Sequence, residues 1–192
     1  MAGTPGGLTV AELAAGLDVG RTVAYRLVAT LEQHGLVRRD AEGRVRIGPG
    51  VLALAAGVQP LLRAAATPVL RRLAEDVGAT AHLTVADGDE ALAVAVVEPS
   101  WTAFHVAYRV GSRHPLGRGA AGRAVVRAGR ATPGWVVSTG ELQEGASGIA
   151  APVLGVPGLR AGVGVVALGA LDADQVGPRV ERAAAELAAA LR

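Results

Sequence analysis

Residues 17–47 read LDVGRTVAYRLVATLEQHGLVRRDAEGRVRI. A single helix-length segment lies inside this stretch, and the way it faces decides what kind of protein this is. Apolar Val23, Leu27, Val28 and Leu31 recur at helical spacing and predict a helix over roughly 21–33 with those residues on its buried side. Upstream, Thr9 precedes VAELAAGL with Glu12 three residues on, a capping box that opens an earlier helix. Leu13, Ala14 and Leu17 give that helix its apolar face, and Asp18-Val19-Gly20 makes a short break. Downstream, Gly35 is a natural residue for the left-handed turn that ends a helix. Two short strands, Leu36 to Asp40 and Arg44 to Ile47, then flank Ala41-Glu42-Gly43. Helix, tight turn, helix and hairpin, in that order, predict a winged helix-turn-helix.

A helix that reads DNA needs one face for its own domain and another for bases and phosphates. Arg21, Thr22, Tyr25 and Arg26 form such a second face, clustered at the end that enters a major groove. Arg pairs with guanine edges or phosphate, Thr with base methyls or phosphate, and Tyr with phosphate. Arg44 and Arg46 alternate along the wing, so both point to one side and suit the flanking DNA backbone. A solvated amphipathic helix, or a winged helix that binds another protein, would show part of the same pattern.

The 192-residue chain is long enough for one large domain or two small ones. Half of it is apolar and its net charge is only +2, which argues against general disorder. All 19 basic residues are Arg, which explains the high isoelectric point without implying a uniformly basic surface. With no Cys, disulfides, thiolate nucleophiles and Cys-based metal sites are excluded. MAGTPGGLTV lacks a signal-peptide pattern. Apolar runs of membrane-spanning length are interrupted by Arg, Asp or Glu. The expectation is a cytoplasmic protein with no membrane partner.

Beyond Gly48-Pro49, residues 51–77 read as a helical connector with a break near 57–60. It merges into a helix that Pro68 starts and Val69, Leu70, Leu73 and Val77 bury. From residue 80 the period becomes strand-like in AHLTVAD, ALAVAVVE and TAFHVAYRV, the first two joined by Asp87-Gly88-Asp89-Glu90. A short helix is expected from Gly119 to Ala128. GIAAPVL and AGVGVVALGAL read as two further strands, and Asp172 caps a closing helix that buries Val176, Val180, Leu187 and Leu191. The fold class is α+β with an antiparallel sheet in the second domain. The expected divisions are 1–50, a winged helix-turn-helix; 51–77, the connector; and 78–192, a second α+β domain.

The segment LTVAELAAGLDVGRTVAYRLVATLEQHGLVRRDAEGRVRIGPGVLAL resembles the DNA-binding half of the IclR family of bacterial transcriptional regulators. VGSRHPLGRGAAGRAVV (110–126) is similar to that family's Gly-x-x-x-Pro-Leu-His…Gly-Lys-Ala segment. EGASGIAAPVLGVPG (144–158) is similar to its Gly-x-x-Cys-Ile-Ala-Ala-Pro-Val segment. The resemblance implies a GAF-like effector-binding domain behind the winged helix, a homodimer or homotetramer, a palindromic double-stranded DNA operator and, most often, repression. Carried onto this chain, it implies an effector site walled by Gly119, Ala120, Ala121, Ser147, Gly148, Val163, Val165 and Ala167, with Arg118 in place to pair a carboxylate.

This chain departs from the family pattern. Only seven residues precede Leu8, where the family has a helix that covers the reader. The loss of that cover would expose parts of Leu13, Leu27 and Leu31, at about 25 cal/mol per Å² of apolar area. The stretch between Arg130 and Trp135 is short. Gly117 replaces the His after Pro-Leu, Gly148 the Cys before Ile-Ala-Ala-Pro, and the 164–167 stretch lacks the usual serines. A site poor in polar groups suits an apolar or aromatic effector. The rival expectation is a ligand-binding or protein-interaction module whose shortened winged helix no longer reads DNA.

An enzyme is not expected. Ser100, Ser112, Ser138 and Ser147 lack a nucleophile-elbow context, and the Gly117–Gly122 run is not a Walker motif. His34, His82, His105 and His114 lack metal-ligand spacing, although His82 and His105 could meet across a sheet. Neither metal nor cofactor is expected. Trp101 and Trp135 read as core or lid residues.

Overall fold

The computed structural model describes residues 4, 6–102, 106 and 108–192. They form two compact units, Met1–Gln59 and Pro60–Arg192.

In the first unit, Thr9 caps helix α1 (Val10–Gly16) with the expected box. Its hydroxyl accepts from the Glu12 N–H, and the Glu12 carboxylate accepts from the Thr9 N–H at 2.7 Å. Asp18 takes φ 51 in the turn, which leads to helix α2 (Arg21–Gln33). Strands β1 (Val37–Arg39) and β2 (Val45–Ile47) form the wing, with Val37 opposite Ile47 and Arg38 opposite Arg46. The Leu8 N–H donates to Val45 O, and the Val45 N–H returns a bond to Leu8 O.

The core of this unit is small: Val10, Ala14, Ala24, Val28, Val37 and Val45, with Leu13 and Val19 packed against it. Here the structure corrects the apolar faces read from periodicity. Leu17 is exposed, as are Val23, Leu27 and Leu31, at 49%, 46% and 39% of their surface. Of α2's apolar face it is the Ala24–Val28 edge that is buried.

Helix α3 (Gly50–Val77) runs without the break expected at 57–60 and contains both Pro60 and Pro68. Proline inside a helix removes one N–H and crowds the carbonyl four residues back, and residues 51–61 are exposed, where water can satisfy the freed group. By length and composition α3 could cross a membrane. Its second half instead buries Leu62, Ala66, Val69, Leu70, Leu73 and Ala74 in the core of the second unit.

That unit is built on β3 (Thr80–Asp87), β4 (Glu90–Val97), β5 (Arg113–Pro115), helix α4 (Gly119–Gly129), β6 (Val136–Thr139), β7 (Ala146–Val153), β8 (Ala161–Leu168) and helix α5 (Ala173–Ala190). The six strands form one antiparallel sheet in the order β5-β4-β3-β8-β7-β6. Asp172 caps α5 as expected, accepting from the Asp174 and Gln175 N–H groups. On one side of the sheet Leu83, Val94, Ile149, Val163 and Val165 meet the second half of α3 and Val180, Ala184 and Leu187 of α5. On the other side α4 packs closely through Ala120 and Ala124 against Ala150. Gly162 lets it do so, since a Cβ there would stand 2.9 Å from Ala124 Cβ.

The expected strand over 102–110 is not present in its described residues, Thr102, Val106 and 108–110. The short edge strands β5 and β6 were not expected.

Candidate functional site

On α2, Arg21, Thr22, Tyr25 and Arg26 are all exposed. Gly20 sits at the helix N-cap and no side chain closes that end. The Tyr25 ring lies beneath the Arg39 guanidinium at 5.7 Å, a cation–π contact that orients the phenol. Around the helix Arg26 borders the apolar strip, sharing a shallow surface groove with Val23, Leu27 and Thr30.

The two wing arginines are engaged within the unit. Arg46 Nε donates to Asp40 Oδ2 at 2.7 Å. This bond, the largest of several influences, holds the Asp40 carboxyl below its ordinary range. Arg44 donates to Gly7 O and lies 3.7 Å from Glu12.

In the second unit a cavity of about 260 Å³ opens on the α4 side of the sheet. Five of the residues expected there by resemblance line it: Ala120, Ala121, Ser147, Gly148 and Val165. The other four lie elsewhere. Gly119 is buried with its N–H on Glu141. Arg118 is exposed and donates to the Glu141 carbonyl. Val163 belongs to the core on the opposite side of the sheet, and Ala167 packs partly against that core. Strand alternation explains the last two. Along β8 the core side takes the side chains of Val163 and Val165, Val165 bordering the cavity through its backbone, while Gly162 and Gly164 face α4 and His82 and Val166 lines the cavity.

Several cavity residues carried no sequence signal for this role. His82 on β3 is fully buried, and its ring lies across Gly164, its register partner on β8. Tyr108 and His114 complete a polar wall. His114 Nδ1 is 3.2 Å from Pro115 O, Tyr108 OH is 3.4 Å from both His114 Nε2 and Thr84 Oγ1, and Thr84 Oγ1 is 3.1 Å from His82 Nδ1. A carbonyl only accepts, so with neutral imidazoles the chain has one direction: His82 donates to Thr84, Thr84 to Tyr108, Tyr108 to His114 and His114 to Pro115. The assignment leaves His82 Nε2 as an acceptor. Burial, with His114 nearby, pushes the His82 pKa down to about 3, so the ring stays neutral. Burial raises the Tyr108 phenol. His105 lies outside the described residues, so the expected His82–His105 pairing has no structural counterpart here.

The opposite wall is formed by the start of α4 and the segment after β6. Ser138 Oγ accepts from the Ala120 N–H at 2.9 Å. The Glu141 carboxylate accepts from the Gly119 N–H at 3.0 Å and from Arg123 Nη1 at 2.6 and 2.8 Å. Arg123 and then Gly119 hold the Glu141 carboxyl below the ordinary carboxylate range. Arg113, also on the cavity wall, is paired with Asp87 and Glu90. Trp101 and Trp135 are not cavity residues; Trp135 packs on α5 at Gly177 and Trp101 over Gly78. Among the described residues no group of three or more His, Cys, Asp or Glu side chains is arranged to hold a metal ion.

Two family models match the chain and together account for more than half of it: the IclR helix-turn-helix domain over residues 1–41, and the bacterial transcriptional regulator IclR C-terminal domain over residues 57–133. The HTH-type transcriptional regulator KipR of Bacillus subtilis is 32% identical over 121 residues, covering 62% of this chain and 48% of that protein. The chain thus spans about half the length of the curated relatives it matches. Among solved structures, Thermotoga maritima IclR superposes with a TM-score of 0.61 at 20% identity, over 97% of this chain and 92% of that one. An IclR homolog from Microbacterium hydrocarbonoxydans, solved in complex with 4-hydroxybenzoate, superposes with a TM-score of 0.60 at 20% identity, over 96% and 91% of the two chains. The capped helix-turn-helix, the wing, the antiparallel sheet and both family models agree: the chain belongs to the IclR family of bacterial transcriptional regulators.

Proposed function

We propose that this protein is a transcriptional regulator that reads double-stranded DNA with α2 and answers to a small molecule held in the cavity of its second unit. The observation that carries the reading is the exposed Arg21, Thr22, Tyr25 and Arg26 set at the open N-terminal end of α2, in a unit matching the family's DNA-binding domain. Those side chains enter the major groove, and Arg44 and Arg46 approach the adjacent backbone. A homodimer, or a homotetramer built from two, would place paired reading helices about 34–36 Å apart, or a multiple of it, on a palindromic operator. Repression is the output family resemblance favours, in the cytoplasm. The second unit acts by binding, not by catalysis. An effector there shifts the DNA-bound population with a coupling of about 1–3 kcal/mol.

The test is fluorescence anisotropy with duplex DNA from the gene's own upstream region, against a shuffled duplex, across a salt series. Sequence-dependent binding that weakens steeply with salt supports the proposal. Equal binding to both duplexes would overturn it.

Two observations favour a second reading, in which the first unit is an interaction module that does not read sequence. Both wing arginines hold internal partners, and the apolar strip Val23, Leu27 and Leu31 is exposed beside Arg26. On that reading both duplexes bind weakly and alike.

A further inference from the structure

The cavity is lined by buried polar groups, yet among the described residues its wall offers no unpaired arginine. Arg113 is held by Asp87 and Glu90. Arg118 and Arg123, the guanidinium groups beside the start of α4, are both turned to Glu141. The first two N–H groups of α4, where an anion is ordinarily favoured, are filled by Glu141 and Ser138. His82 is neutral and its Nε2 is an acceptor, which meets a hydroxyl but not a carboxylate. The remaining lining carries no charge: the Gln143 amide apart, it is apolar or hydroxylic, with Val106, Ala120, Ala121, Val166 and Ser147 among it.

We infer that the cavity takes an uncharged, hydroxyl-bearing small molecule of about the size of a substituted phenol, and that Glu141 is the residue that excludes carboxylates. The inference rests on the effector-binding reading of this site and narrows it. Glu141 is a carboxylate supplied by the chain itself. Its carboxylate already holds Arg123 and the first helix N–H, that of Gly119, while its backbone carbonyl takes Arg118, and the carboxylate repels a second negative charge brought alongside. A ligand of about 260 Å³ or less donates its hydroxyl to His82 Nε2 and lays its frame on the alanine and valine wall. Such a ligand brings no charge of its own to desolvate.

The experiment is isothermal titration of the whole chain with two compounds that differ in charge and hardly in shape, 4-hydroxybenzamide and 4-hydroxybenzoate, with phenol and 4-hydroxybenzyl alcohol as further neutral probes. The same series is run on E141A and on E141Q, whose amide oxygen can still accept from Gly119. Wild type is expected to bind the neutral probes at least about tenfold more tightly than the acid. E141A is expected to narrow or reverse that preference through a gain in benzoate affinity. Tighter binding of benzoate than of benzamide by wild type would overturn the exclusion while leaving an effector site. An unchanged ratio in both variants would overturn the role of Glu141. No binding of any probe to wild type or variant would remove the effector site and the inference with it.

Discussion

The His82 imidazole lies across Gly164 so closely that a Cβ at position 164 would stand 2.8 Å from its Cε1 and Nε2. The same atom would also stand 2.8 Å from Ala150 Cβ. Neither neighbour can withdraw, because His82 is fixed by Thr84 and Ala150 is packed under α4. Gly164→Ala is therefore expected to cost about 1–3 kcal/mol of stability, as overpacked cores do. Urea denaturation monitored by circular dichroism measures it. A change within a few tenths of a kcal/mol would mean that the ring is not held where the structure puts it.

Burial keeps His82 neutral down to about pH 3, whereas an unfolded His gains its proton near 6.5. The folded pKa is depressed, so its contribution to stability is full above about pH 6.5 and is lost as pH falls towards 3. Each pH unit in that window removes up to about 1.4 kcal/mol per proton taken up by the unfolded chain alone. Unfolding free energies at pH 7.5 and 5.5 are expected to differ less for His82→Asn than for wild type. Equal pH dependence would place the sensitive group elsewhere.

Asp40 holds Arg46, one of the two wing arginines proposed to approach the DNA backbone. Asp40→Asn weakens that hold and removes a negative charge from the wing. Anisotropy on a shuffled duplex is expected to show tighter binding at low salt and a slope of log affinity against log salt steeper by up to about one unit. An unaltered slope would separate the wing from the phosphates.

The helix-turn-helix and wing were legible because their signals are local: the Thr9–Glu12 box, the break at 18–20 and Gly35, which takes φ 67. The same holds for β7, β8 and the Asp172 cap of α5. Which part of α2's apolar face is buried was not legible. Val23, Leu27, Ala24 and Val28 share one helical face, and only tertiary neighbours choose the last two. The continuity of α3 through Pro60 was missed because proline is a strong breaker in the abstract and a weaker one in an exposed turn. Of the residues named by family resemblance, Ala120, Ala121, Ser147 and Gly148 on α4 and β7 line the cavity. The parity of β8 was in principle readable, because the alternate glycines of AGVGVV mark the side where something approaches closely. Glu141 was not readable. It meets Gly119 and Arg123 from 22 and 18 residues away, and no spacing rule joins them.

The most direct test of the account compares wild type with the Arg21→Ala/Arg26→Ala double variant by anisotropy, on the upstream duplex and on its shuffled control. The account predicts that wild type prefers its own sequence and that the variant, with an unchanged circular dichroism spectrum, loses that preference. Each arginine that reads a base is expected to contribute about 1–3 kcal/mol. Undiminished discrimination by the double variant would contradict the claim that this face of α2 reads DNA.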